Sequence, residues 1–265
     1  MAEMNAAEAY EAYLVPNIFG PWAWMVVREA RLQPGQRVLD IACGTGIAAR
    51  TAAPVVGAAG AVVSIDKDDA MLEVARGLPT HAGDAPMRWQ QADAMNLPFP
   101  GASFDVALCF EGIQFLPDRA KGLAEFRRVL RPGGRLIGTI WGPLEENPGY
   151  HAIGDGVSQF VSPEAGRLPP FLLHDRAEIR ALMAGAGFAD ISVEPRRIIM
   201  PIPSSRHFVD WVAYGAPTVR LRIAQLADKD REAFYAYVAG RLEPLRHDGV
   251  IGLPMLRHVI EASVP

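Results

Sequence analysis

The run VLDIACGTGIAAR at residues 38–50 constrains this chain more than any other stretch. An apolar strand carries a carboxylate, Asp40, turns through Gly44 and Gly46, and opens into an alanine-rich helix. A strand, a glycine loop and a helix in that order begin a parallel α/β sheet and turn the loop toward a ligand. The same rhythm then repeats. AVVSID (61–66) is a continuous apolar strand, as expected where both faces of a parallel sheet are covered. Asp68 can cap the next helix, whose Met71, Val74, Ala75 and Leu78 share a face before Pro79 stops it. MRWQQA (87–92) is a weaker strand running into Asp93, and FDVALCF (104–110) is a strong one. Asp118 opens a helix with Leu123, Phe126 and Leu130 at helical spacing, closed by RPGG, and RLIGTIW (135–141) is the fifth strand. Asp40, Asp66, Asp93 and Phe110 all fall at the carboxyl ends of strands, so four strands deliver polar or aromatic groups to one rim.

Outside this block the pattern changes. Residues 10–31 read as helical and aromatic, broken by Pro16 and Pro21. Residues 143–173 are rich in Pro and Gly and show no period. Asp175 with Glu178 forms a capping box for a helix bearing Ile179, Leu182, Met183 and Ala186, which Gly187 ends. Residues 191–202 read as a sixth strand, 204–247 as helical, and 253–264 as a last strand. The expected organisation is an N-terminal helical cap (1–36), a ligand-binding core (37–142), an irregular lid insertion (143–173), more core (174–203), a helical lid (204–250) and a final core strand (251–265).

Composition narrows the class. The chain has 265 residues, half of them apolar, and a formal charge of −4, which argues against a nucleic-acid footprint. No apolar run approaches the roughly 18 residues of a membrane span. Residues 1–11 are Ala-rich and acidic, the opposite of a signal peptide, so the protein is expected in the cytoplasm. Cys43 and Cys109 make neither a metal-ligand spacing nor a disulfide framework, and no metal site is expected.

The glycine loop allows two nucleotides. GTGIAA from Gly44 fits the G-x-G-x-x-A of a dinucleotide fold, and Asp66 lies 20 residues after Gly46, where such a fold places its ribose acid. An NAD-dependent oxidoreductase is therefore one reading. Three features favour the other. Asp40 precedes the glycines, where a carboxylate repels a pyrophosphate but attracts an ammonium. Asp93 supplies a second acid suited to an adenine amine, and residues 104–141 carry no evident hydride-transfer group.

VLDIACGTG, SIDKDDAML, QADAMNLPF, FDVALCFEGIQFL and RVLRPGGRL resemble, in order, the motifs of class I S-adenosylmethionine-dependent methyltransferases. The nearest branch holds the ubiquinone/menaquinone C-methyltransferases. The resemblance covers about residues 10–141 and continues more loosely to 193. It implies an α/β fold with a doubly wound, Rossmann-like, mostly parallel seven-stranded sheet and a helical lid. It also implies S-adenosyl-L-methionine as cofactor. Carried over residue by residue, Asp40 attracts the methionine ammonium, Asp66 accepts the ribose hydroxyls, and Asp93 and the Ala94 N–H read the adenine. Gly44 and Gly46 let the backbone approach, and Lys67 and Met71 lie along the adenosine. Tyr13, Ala42, Phe110 and Gln114 complete the implied cofactor set; Ala42 stands where many members have Gly. Each position also has a plainer use. Asp40 and Asp93 can be caps or turn formers, Asp66 can cap a helix, Met71 can be core, and both cysteines can be buried small residues.

The acceptor is less legible. FEGIQF stands where an NPPY-like tetrapeptide would serve exocyclic nitrogens, and no acid cluster is placed to hold magnesium. A small, largely apolar molecule remains. Tyr10, Tyr13, Phe19, Trp22, Trp24, Phe208, Trp211 and Tyr214 are expected either to line its pocket or to form lid core. His151, His174 and Glu111 are the candidate bases, and none is assigned as catalytic. Because a fold does not dictate its chemistry, a cofactor-binding protein that transfers no methyl group is the third reading.

Overall fold

The computed structural model describes residues 4–265; Met1, Ala2 and Glu3, the start of the expected cap, lie outside the described residues. In chain order the elements are α1 Ala6–Ala9, a wide π-type helix Tyr10–Phe19, α2 Gly20–Glu29, β1 Arg37–Ile41, α3 Ile47–Val56, β2 Ala61–Asp66, α4 Asp69–Gly77 and β3 Met87–Gln91. There follow β4 Phe104–Phe110, α5 Arg119–Val129, β5 Leu130–Trp141, α6 Pro148–Phe160, α7 Arg176–Gly185 and β6 Ala189–Ile202. The chain closes with α8 Ser205–Gly215, α9 Pro217–Ala224, α10 Asp228–Leu242, β7 Arg246–His247 and β8 Val250–Ser263.

The strands form one sheet in the order β3-β2-β1-β4-β5-β8-β6, seven on the main path, with the two-residue β7 paired antiparallel to β8. The pairs β1–β2, β2–β3, β1–β4 and β4–β5 are parallel. Strand order reverses between β1 and β4, so the crevice outside their carboxyl ends is the switch point where such sheets bind ligands.

By contact the chain divides into two compact units. The sheet unit takes in Phe19–Ile140, Leu173–Pro195 and His258–Pro265. Alternate strand residues serve its two faces. Leu39, Ile41, Ala107, Cys109, Leu136 and Ile140 pack with Leu123 and Phe126 of α5 and Ile179 and Met183 of α7. Val38, Val62, Val106, Leu108 and Ile137 pack with Val26 and Val27 of α2 and with Ala48, Ala49, Ala52 and Ala53 of α3. The alanines keep α3 close to the sheet, which brings its first turn near the end of β1.

The helical unit takes in residues up to Ile18, Trp141–Leu172 and Arg196–Arg257. Rings of Trp141, Tyr150, Phe171 and Phe208 cluster in it, and the buried Arg257 guanidinium lies 4.1 Å from the Trp141 ring centroid. The expected cap at 1–36 is thus divided, because α2 packs with the sheet unit while the chain before Phe19 does not.

Four local expectations are corrected. Residues 143–173 are not irregular: they contain α6, thirteen residues long. Its glycines hide the helical period because they are contact points. A Cβ on Gly149 would lie 2.6 Å from Phe208, and one on Gly156 would lie 2.8 Å from Phe234. Pro16 and Pro21 do not break the N-terminal helices; the π-type turn accommodates the first, and the second sits in the first turn of α2, where an N–H has no helical partner. RPGG does not end a helix but lies within β5, which starts at Leu130. The buried face of α4 is Leu72 and Ala75, with Met71 and Val74 only half-buried.

Candidate active site

The loop after β1 is coiled by three left-handed residues, Ala42 (φ +55), Gly44 (φ +54) and Gly46 (φ +84). The Ala42 conformation is one that glycine adopts without strain, so alanine there carries a cost of about 1 kcal/mol. The loop still forms, tied by Cys43 N–H to the Ile65 carbonyl at 2.9 Å and by Gly46 N–H to the Cys43 carbonyl at 2.8 Å. Gly46 is required on a second count, since a Cβ there would overlap the Trp89 ring of β3.

Asp40 is fully buried on the α3 side of the sheet. One carboxyl oxygen, Oδ2, accepts the Ala49 N–H at 3.0 Å, one of the amides left over at the start of α3. Its Oδ1 is buried with no hydrogen-bond partner among the described residues. Burial pushes its pKa up from 3.8 to about 7. Burial likewise raises the Cys43 and Cys109 thiols, so both are inert small residues here.

Asp66, at the end of β2, joins two pieces of backbone. Its Oδ2 accepts the Gly44 N–H at 2.7 Å, and its Oδ1 accepts the Asp68 N–H at 3.0 Å. The helix cap is Asp68, which accepts the Ala70 N–H, so Asp66 is free of that duty. Asp93 is exposed, and its Oδ1 accepts the Met95 N–H at 2.8 Å in a turn that keeps Ala94 half-buried. Lys67 is exposed, its carbonyl held by Gln91 Nε2 at 2.9 Å, and Met71 is half-buried. On β4, Phe110 meets Phe19 edge-on at 6.0 Å. Gln114 is buried, and its Nε2 donates to Glu111 Oε2 at 2.9 Å. Register places these groups side by side: Asp40 pairs with Ser64 and Leu108, and Asp66 pairs with Gln91.

Eleven of the twelve candidate cofactor residues therefore fall in the sheet unit, and Tyr13 falls in the helical unit, stacked on Tyr214 at 4.8 Å. The aromatic residues go several ways. Trp22 and Phe208 are fully buried core, Phe19 is nearly so, and Trp24 is 59% exposed beside Arg28. Trp211 sits edge-on to His207. His151 lies 3.6 Å from Asp155 on α6, and the His174 carbonyl accepts from His258 Nε2 at 2.9 Å.

A family described as "Methyltransferase domain" matches residues 39–138. A 2-phytyl-1,4-naphtoquinone methyltransferase from Synechococcus elongatus is 40% identical over 115 residues, 43% of this chain. The chain spans about half of that relative, 49% of its length. The ubiquinone/menaquinone biosynthesis C-methyltransferase UbiE of Ectopseudomonas mendocina is 34% identical over 185 residues, 64% of this chain and 72% of that protein. The chain belongs to the class I S-adenosylmethionine-dependent methyltransferases, in the UbiE-like branch. The crystal structure of the YcgJ protein from Bacillus subtilis shares the fold, with a TM-score of 0.59 at 21% identity over 92% of this chain and 98% of that one.

The cofactor of this methyltransferase is S-adenosyl-L-methionine. The residues present suit it. An ammonium needs acceptors, and Asp40 Oδ1 and Gln114 Oε1 are buried acceptors with no partner among the described residues. Ribose hydroxyls and an adenine amine also need acceptors, and Asp66 and Asp93 stand on neighbouring strands. Two residues escaped the sequence reading. Thr45 is buried between the loop glycines with its Oγ1 unpartnered among the described residues, and Trp89 supports Gly46. The alternation of Met87 and Trp89 along β3, both packed on the α3 face, was the available signal.

Proposed function

We propose that this methyltransferase acts in the cytoplasm on a small, largely apolar molecule and not on nucleic acid. The carrying observation is the set of acids on three adjacent strands around a left-handed glycine loop, with two buried acceptors left over. When bound, the cofactor supplies an electrophilic methyl group on a sulfonium. In this reading Asp40 Oδ1 and Gln114 Oε1 hold the ammonium, Asp66 holds the ribose, and Asp93 with the Ala94 N–H reads the adenine. Lys67 and Met71 flank the adenosine, Ala42, Gly44 and Gly46 form the floor, and Phe110 and Tyr13 add apolar surface. The acceptor class is supported by the quinone methyltransferases among the relatives and by a net charge of −4. Methyl transfer from a sulfonium is an in-line displacement, so alignment of the two substrates carries most of the catalysis.

Calorimetry separates this reading from the oxidoreductase. S-adenosylhomocysteine should bind in the micromolar range, since hydrogen bonds to charged groups contribute about 1.5–3 kcal/mol each. NAD should not bind. Binding of NAD with no binding of either adenosyl compound would end the proposal.

A further inference from the structure

Glu111 stands outside the cofactor set, yet it is the most constrained residue at the end of β4. Its φ is +60, a left-handed conformation that a residue with a long side chain adopts only when its surroundings enforce it. Three contacts do so. The Glu111 N–H donates to the Thr139 carbonyl of β5 at 3.2 Å. The next residue, Gly112, has no room for a side chain: a Cβ there would lie 2.8 Å from Ala42 Cβ and 2.7 Å from Cys109 Sγ. The turn is thereby pressed against the glycine loop at the switch point. Gln114 Nε2 then fixes the carboxylate itself at 2.9 Å, from a side chain only 5% exposed. An amide donor orients a carboxylate without cancelling its charge, which leaves it basic. Glu111 is half-buried, neither sealed in the core nor loose in solvent.

We propose that Glu111 takes the proton of the methyl acceptor, and that the acceptor is a phenol or enol. The inference rests on the functional reading above and deepens it. The acceptor O–H bond breaks, the proton forms a new O–H bond on the Glu111 carboxylate, and the electron pair stays on the acceptor as an oxyanion. That anion is the nucleophile, through oxygen or through the ring carbon it activates. The neutral Glu111 acid returns its proton to solvent.

The test compares 1-naphthol with 1-methoxynaphthalene, which differs by lacking the O–H, in titrations of the protein saturated with S-adenosylhomocysteine. The wild-type protein should bind the naphthol roughly tenfold or more tightly than the ether. Glu111→Gln should cut that preference below about threefold while leaving S-adenosylhomocysteine affinity within about twofold. Glu111→Asn, whose residue type tolerates a left-handed backbone, should do the same and guards against a folding defect in the first variant. Four results overturn the proposal: no naphthol binding by the wild type, no preference over the ether, a preference unchanged in both variants, or a loss of S-adenosylhomocysteine affinity above about tenfold, which moves Glu111 to the cofactor. Failure of the wild type to bind S-adenosylhomocysteine at all instead refutes the functional reading, and this inference falls with it.

Discussion

Replacing Asp40 by Asn should stabilise the ligand-free protein at alkaline pH and not at acid pH. Burial lifts the Asp40 pKa from 3.8 to about 7, outweighing the Ala49 N–H that lowers it. The folded protein therefore keeps a proton that the unfolded chain has already released. The free energy of unfolding falls as pH rises from about 4 to about 7, and this contribution then levels off. At about 1.4 kcal/mol per pKa unit, the whole penalty is about 4 kcal/mol. Asn keeps an acceptor for the Ala49 N–H but places an amide N–H₂ where Oδ1 has no partner, an offset of about 1–3 kcal/mol. That offset does not vary with pH, so it drops out of the comparison. The stability difference, variant minus wild type, should grow by about 3 kcal/mol between about pH 4.5 and about pH 8. Urea unfolding at constant m-value across that range measures it. A difference flat within about 0.5 kcal/mol would refute the assignment of a buried, proton-holding carboxyl. The same variant should bind S-adenosylhomocysteine about ten- to a hundredfold more weakly, trading function for stability.

Asp66→Ala should weaken S-adenosylhomocysteine binding by about ten- to a hundredfold by calorimetry, and it also removes the acceptor of the Gly44 N–H; unchanged affinity would discard the ribose role. Gly46→Ala should destabilise the protein by about 1–3 kcal/mol in urea, because the new methyl overlaps the Trp89 ring and the backbone is left-handed there. A loss near zero would show that the ring simply swings aside. Amide exchange in the helical unit, at α1, α6 and α8, should slow when S-adenosylhomocysteine is added; equal protection with and without it would rule out ligand-coupled ordering of that unit. His151→Ala and His174→Ala should leave S-adenosylhomocysteine affinity intact and, with an identified acceptor, lower kcat by less than about 10²-fold; a loss above about 10³-fold would identify a base other than Glu111.

The parts of the fold that were readable share a cause. β1, β2 and β4 have the bounds expected from the sequence because strands covered on both faces are short apolar runs with abrupt ends. Asp68, Asp118 and Ser204 accept from the first helical turns they precede, so the helix starts were visible too. α6 was hidden because its sequence gives glycine at the positions where Phe208 and Phe234 press hardest against it. The candidate acids were legible because a strand end is a local feature. Thr45, Trp89 and Glu111 were not assigned, since their surroundings depend on which strand lies beside which: Trp89 reaches Gly46 across β2 and β1, and Glu111 is held by β5 and by the loop after β1. The aromatic residues misled for a related reason. Burial of Trp22 and Phe208 comes from packing partners far away in the chain, which aromatic content alone does not reveal.

The position of β8 between β5 and β6 sets a schedule for the ribosome. β5 is complete at Trp141, whereas β8 begins only at Val250. At about 5–20 residues per second, β5 waits about 5–20 s with its outer row of N–H and C=O groups unpaired. β6 emerges in that interval with no neighbour to join. An open strand edge beside a second unpaired strand is a template for association between nascent chains. Synthesis of this protein should therefore draw on chaperones that shield such edges, and slow codons placed between β6 and β8 should lower its soluble yield more than slow codons placed after β2.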